Sequence, residues 1–151
     1  MASPLTMYVQ INQDPESQTA AESAVQNFTQ GVQAGLDASE IVHYATLALV
    51  PNPSVEPGVP VSGYLAILLM TDFDLAMDPY LAVFWNAAGG GIKIALQGIA
   101  KIAFNPVPAI NTLTDFENFI NSANLTPAPT SGVWTNFYQA YPQSVQQIIG
   151  G

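Results

Sequence analysis

The stretch GYLAILLMTDFDLAMDPYLAVFW, residues 63–85, combines an apolar run, three aspartates and a second apolar run. The first run is apolar at successive as well as alternate positions, which is typical of a strand covered on both faces. Asp78 and Pro79 indicate a helix start, because an aspartate caps free backbone N–H groups and proline fits the first turn. The stretch therefore predicts a buried strand that leads directly into a helix.

The same arrangement occurs nearer the N-terminus. Residues 5–12, LTMYVQIN, alternate apolar and polar side chains and predict a strand with one apolar face. Asp14 and Pro15 then predict a helix that ends near Gly35 or Asp37. A second strand, residues 40–50, and a proline-rich loop complete the order strand, helix, strand, strand, helix, which is typical of split βαβ halves.

The C-terminal part predicts further short elements. A glycine-rich segment leads into an amphipathic helix, and Thr114 with Glu117 has the spacing of a capping box. Residues 133–141, VWTNFYQAY, predict a fourth strand, and Pro142 opens a closing helical turn. We therefore expect one α+β domain over residues 1–151: a ferredoxin-like βαββαβ sandwich with a four-stranded antiparallel sheet, helices on one face and extra short helices near the C-terminus.

The composition excludes several classes of function. The chain has a net charge of -9, with two lysines, no arginine and no cysteine among 151 residues. Nucleic-acid binding depends on Lys and Arg, so no nucleic-acid partner is expected, and thiolate metal sites are excluded. No apolar stretch is long enough to span a bilayer, and no signal peptide is visible, so we expect a soluble cytoplasmic protein without membrane contact. The acidic surface with few charges is also typical of a secreted or acid-exposed protein, and that alternative stays open.

The two inner strands predict a homodimer. Both are apolar on both faces, and the helices of a two-layer domain of this length cover only one of them. We expect a second subunit to cover the other face, on which alternation places Val42, Tyr44, Thr46, Ala48 and Val50. The scarcity of charge also permits higher assembly, because little repulsion keeps copies apart.

Three stretches together resemble a known superfamily: IVHYATLALV, YLAILLMTDFDLAMDPYLAVFW and FYQAYPQSVQQI, within residues 40–85 and 133–148. They are similar to ferredoxin-like single domains of the dimeric α+β barrel superfamily, which includes dye-decolorising peroxidases and cofactor-free antibiotic-biosynthesis monooxygenases. The resemblance implies two sheets paired face to face. The haem peroxidases need a distal arginine, which this chain lacks, so no haem or other cofactor is expected.

His43, Asp72 and Asp74 are the candidate catalytic residues. His43 is the only histidine in the chain, and histidine is the side-chain type that exchanges protons most readily near neutral pH. It is either a core residue, with Ile41 and Ala45 on its face, or a base in a cavity between sheet and helices. Asp72 and Asp74 either form a turn and cap a helix, or act as an acid and base pair. These three residues supply too few ligands for a metal, so no metal site is expected.

Aromatic side chains are the candidate ligand-binding residues. Tyr44, Tyr64, Trp85 and Tyr138 either line a pocket for a small neutral apolar or aromatic ligand, or belong to the core and the dimer interface. The sequence thus leaves three hypotheses open: a homodimeric binding protein, a self-assembling protein with a charge-depleted surface, and a cofactor-independent oxygenase or isomerase that uses His43 and an aspartate.

Overall fold

The computed structural model describes residues 3–53, 58, 62–87, 89–125 and 144–150. They form an α+β arrangement with a three-stranded antiparallel sheet. The strands are β1 (Ser3–Gln10), β2 (Val42–Pro51) and β3 (Tyr64–Phe73). The helices are α1 (Pro15–Ser39), α2 (Met77–Ala87), α3 (Gly89–Ile102), α4 (Leu113–Ala123) and α5 (Val145–Ile149). None of the described helices is long and apolar enough to cross a membrane.

The sheet is a split βαβ unit. Its order is β1-β3-β2, and β3 is antiparallel to both neighbours, so β1 and β2 are parallel to each other and joined through α1. The segment after α4 lies against the free edge of β1, where the Leu125 N–H donates to the Thr6 carbonyl at 2.7 Å. The predicted fourth strand, residues 133–141, lies outside the described residues, so the described sheet has three strands.

The helices pack on one face of the sheet. On that face alternate residues of β1 and β3 are buried, and they meet apolar side chains of all four longer helices. Burial of these side chains supplies the main stabilising free energy of the domain. The largest fully buried side chains are Met7, Ile11, Ile67, Phe73, Tyr80, Leu81, Ile110, Phe116 and Ile120.

The helix ends differ from the predicted ones in three places. Asp14 caps α1 as predicted, and its side chain accepts from the Ser17 N–H, but α1 continues to Ser39. It stops where Glu40 adopts a left-handed conformation with φ 53°. Asp78 lies inside the first turn of α2 and is not its cap. The capping box of α4 pairs Thr112 with Asp115, two residues earlier than predicted.

A register shift in β2 corrects the predicted faces of that strand. Val42 pairs with Phe73 and Tyr44 pairs with Asp72, so His43 is an extra residue opposite a single step of β3. Such a bulge reverses the alternation on one side of it. Val42 therefore packs against the core on the helix face and not on the outer face, where Tyr44, Thr46, Ala48 and Val50 lie.

The Gln18 side chain fastens α1 to the start of β3. Its Nε2 donates to the carbonyls of Asn12 and Tyr64 at 2.9 and 3.0 Å, and its Oε1 accepts from the Tyr64 N–H at 2.7 Å. The amide thus satisfies both backbone groups of Tyr64, as a neighbouring strand would.

We expect Gln18→Ala to lower the free energy of unfolding by about 1–3 kcal/mol, because the Tyr64 N–H and the Asn12 carbonyl lose their side-chain partner, whereas the Tyr64 carbonyl still accepts from Gln13 Nε2 at 3.0 Å. Denaturant unfolding of the variant and the unmodified chain measures the difference. Gln26→Ala is the matched control, since Gln26 is exposed on the same helix. Equal stability of the two variants would contradict the role assigned to Gln18.

Candidate functional site

His43 and Asp74 form a direct pair at the end of the sheet. The bulge in β2 projects His43 toward the residue that follows β3, and His43 Nε2 lies 2.9 Å from Asp74 Oδ1. The side chains are 19% and 12% exposed, respectively. The Asp74 N–H also donates to the Ile41 carbonyl at 2.9 Å, which fixes the backbone of Asp74 beside β2. The pair therefore joins two elements that are far apart in sequence.

The second oxygen of Asp74 holds the C-terminal helix. Asp74 Oδ2 accepts from the Val145 N–H, the first backbone donor of α5. Ser144 and Gln147 complete this helix start as a capping box, in which each side chain accepts from the other residue's N–H. One carboxylate thus binds an imidazole on one side and a helix start on the other.

Asp72 lies close to this pair but is not part of it. Asp72 is on the outer face, opposite Tyr44 in the sheet. Asp74 lies beyond the end of β3, so the alternation of side chains along the strand does not determine the direction of its side chain. Burial raises the pKa of Asp72 above its usual value, and the Asp74 carboxylate adds to the rise, while His43 and the Phe73 N–H oppose it. Asp72 Oδ1 is buried and makes no hydrogen bond. The three predicted catalytic residues therefore lie near one another: His43 and Asp74 form a direct pair, and Asp72 is a neighbour of that pair.

An open cleft of about 570 Å³ lies beside His43. The cleft lies between the C-terminal end of α1, the start of β2 and helix α5. Most of its walls are apolar, and two further carboxylates, Asp37 and Glu40, stand among the lining residues. The other lining residues are Leu36, Val42, His43, Tyr44, Ala45, Val145, Ile148 and Ile149.

A second, nearly apolar cavity lies between the sheet and the helices. One of the two interpretations of His43 placed a base in such a cavity, but His43 does not line it. Its volume is about 40 Å³, well below the roughly 150 Å³ of an apolar cavity that binds benzene. The Thr71 hydroxyl lines it without a hydrogen-bond partner of good geometry. That hydroxyl still lies near enough to Tyr80 to lower its pKa, but burial outweighs this effect and raises the pKa of Tyr80 to about 12.

The candidate ligand-binding aromatics do not converge. Tyr44 is 54% exposed and lines the cleft. Tyr64 lies at the opposite end of β3 from Asp72, a separation of roughly 26 Å at the rise per residue of a strand. Trp85 packs against Phe116 with ring centroids 5.3 Å apart and lines neither space. Tyr138 lies outside the described residues.

Sequence reasoning missed the residues that form the far wall of the cleft. Val145, Ile148 and Ile149 were predicted only as part of a closing helical turn, although two of them are large, exposed apolar side chains. The Ser144 and Gln147 spacing was a signal for where this helix starts. Nothing in the sequence indicated that the helix start would bind Asp74.

The described residues contain no group of three or more His, Cys, Asp or Glu side chains arranged to hold a metal ion. Comparisons of the chain with protein-family models, curated proteins and solved structures found no match.

The pair predicts the tautomer of His43. An ionised carboxylate only accepts hydrogen bonds, so the neutral imidazole should carry its proton on Nε2 and leave Nδ1 unprotonated. Because the chain has a single histidine, ¹⁵N-histidine labelling gives one pair of ring nitrogen signals in an NMR spectrum. We expect Asp74→Asn to increase the population of the Nδ1–H form, and Glu22→Gln, a change at an exposed position of α1, to leave it unaltered. A predominant Nδ1–H form in the unmodified chain would contradict the pairing.

Proposed function

We propose that the protein binds a small, neutral, apolar or aromatic molecule in the cleft beside His43. The observation that carries this proposal is the size and lining of the cleft. Its volume of about 570 Å³ lies within the range of about 300–1,000 Å³ that is usual for small-molecule sites. Apolar walls with a few polar groups are also the usual lining of such sites. The cavity of about 40 Å³ is too small for an aromatic ring, so the cleft is the proposed site.

The charges around the cleft support a ligand without negative charge. Asp37 and Glu40 line it, Asp74 binds the lining residue His43, and its described lining contains no lysine. The whole chain carries a net charge of -9, which adds a general repulsion of anions. An anionic analogue of a neutral ligand should therefore bind more weakly at the same site.

The ligand proposal predicts binding of 2-naphthamide, a neutral aromatic probe, and exclusion of its anionic analogue 2-naphthoate. We expect 2-naphthamide to shift backbone amide NMR signals of residues around His43, Tyr44 and Ile148 in particular. Ile148→Asp should abolish these shifts, because it places a charge in the apolar wall.

Ile94→Asp is the matched control for this experiment. Ile94 is also an exposed isoleucine but lies on α3, away from the cleft. If 2-naphthamide shifts no cleft signal, or if both aspartate variants bind it equally, the proposed site is wrong.

A homodimer formed through the outer face of the sheet is the second part of the proposal, and with it the relationship to the dimeric α+β barrel superfamily. Met70 is 36% exposed on this face, with Leu68, Ala48 and Val50 half-buried beside it. Apolar area on a sheet face is a common site of subunit contact. The split βαβ order of the described strands also supports the relationship.

Sedimentation equilibrium tests the dimer. We expect a dimer for the unmodified chain and a folded monomer for Met70→Asp, because burying a new charge in an apolar contact is costly. Ile94→Asp should leave the dimer intact. A monomeric unmodified chain would overturn the dimer, and larger species at rising concentration would favour a self-assembling protein instead.

A further inference from the structure

We propose that the cleft also transfers protons, with His43 as a general base that removes a proton from the carbon beside a carbonyl group of a neutral ketone. Asp74 is the positioning residue for His43. This inference rests on the proposed function, because the ketone must bind in the cleft.

The Asp74 carboxylate orients the imidazole of His43. Asp74 is held at both ends, since Oδ1 binds His43 Nε2 and Oδ2 binds the Val145 N–H. A carboxylate fixed in this way fixes the imidazole ring in turn. His43 Nδ1 makes no hydrogen bond with a described residue, and His43 lines the cleft. Because Nε2 is bound to Asp74, Nδ1 is the ring nitrogen that we assign to a molecule bound in the cleft.

The Asp74 carboxylate also faces the charge that forms on His43. When His43 takes a proton, it becomes an imidazolium whose Nε2 lies 2.9 Å from the Asp74 carboxylate. The carboxylate thus lies where positive charge develops during proton transfer, and a charge positioned in advance in this way lowers the free energy of the transition state.

The chemistry needs no co-reactant. The C–H bond beside the carbonyl breaks, a bond between Nδ1 and that hydrogen forms, and the electron pair moves to the carbonyl oxygen as an enolate. The Tyr44 hydroxyl, on the cleft wall, is a hydrogen-bond donor for that oxygen. The imidazolium then returns the proton to the same carbon or, in an unsaturated ketone, to the far end of the shifted double bond. The net reaction is proton exchange or double-bond isomerisation.

Exchange of the α-protons of 2-tetralone in D₂O, followed by ¹H NMR, tests the proposal. We expect the unmodified protein to accelerate exchange over buffer, and His43→Gln to lose about 100-fold or more of that acceleration, as is usual for a general base. Asp74→Asn should lower the rate and also shift the His43 tautomer, which an effect on folding alone would not do. Glu22→Gln, far from the cleft on α1, should retain the full rate.

Binding of 2-tetralone, measured by the shifts of cleft amide signals, separates the two proposals. Binding without accelerated exchange overturns the proton transfer and leaves the binding function standing. The absence of both overturns both. Acceleration that survives His43→Gln overturns the role of His43, and a full rate in Asp74→Asn with an altered tautomer overturns the positioning role of Asp74.

Discussion

The packing of central strand β3 against the helices sets the position of every other element. Ile67, Leu69 and Phe73 are buried on its helix face, and Phe73 stacks on Tyr80 of α2 with ring centroids 3.6 Å apart. This contact fixes where the strand ends and where α2 begins. Because β1 and β2 both pair with β3, any shift of β3 along its axis would move the apolar residues of all three strands. The polar residues at its end, Asp72 and Asp74, are therefore held in place by an apolar contact one residue away.

Two buried polar side-chain atoms near this end of the sheet lower the free energy of unfolding, because they lost their water on folding and gained no hydrogen bond. Asp72 Oδ1 and the Thr71 hydroxyl are buried without hydrogen-bond partners, and burial raises the pKa of Asp72. For Asp72, an acid with a raised pKa in the folded state, the contribution of that one group to stability is greatest at low pH and is lost as the pH rises above the unfolded value of 3.8. Shifted pKa values occur more often at functional sites than elsewhere, and Asp72 lies beside the His43–Asp74 pair.

The sequence predicted the elements better than the contacts between them. The apolar run of β3 and the Asp14 cap of α1 were readable because both depend on local spacing. The bulge at His43 was not, because it depends on how β2 pairs with a distant strand, and alternation alone placed Val42 on the wrong face. His43, Asp72 and Asp74 were selected as rare or clustered polar residues in apolar surroundings. Only the register between β2 and β3 and the position at which β3 ends show that His43 and Asp74 form a pair and that Asp72 lies beside it.

The Asp74 carboxylate couples the orientation of His43 to the wall of the cleft. Helix α5 has five residues, too few to be stable alone in water, so it depends on its capping box and on the bond from Val145 to Asp74. That same carboxylate orients the imidazole. Loss of its charge would therefore weaken both the ring orientation and the attachment of Ile148 and Ile149, which line the cleft. Under the proposed function, a ligand that packs against those side chains would in turn stabilise the helix start that binds Asp74, so that binding in the cleft and the orientation of His43 would reinforce each other.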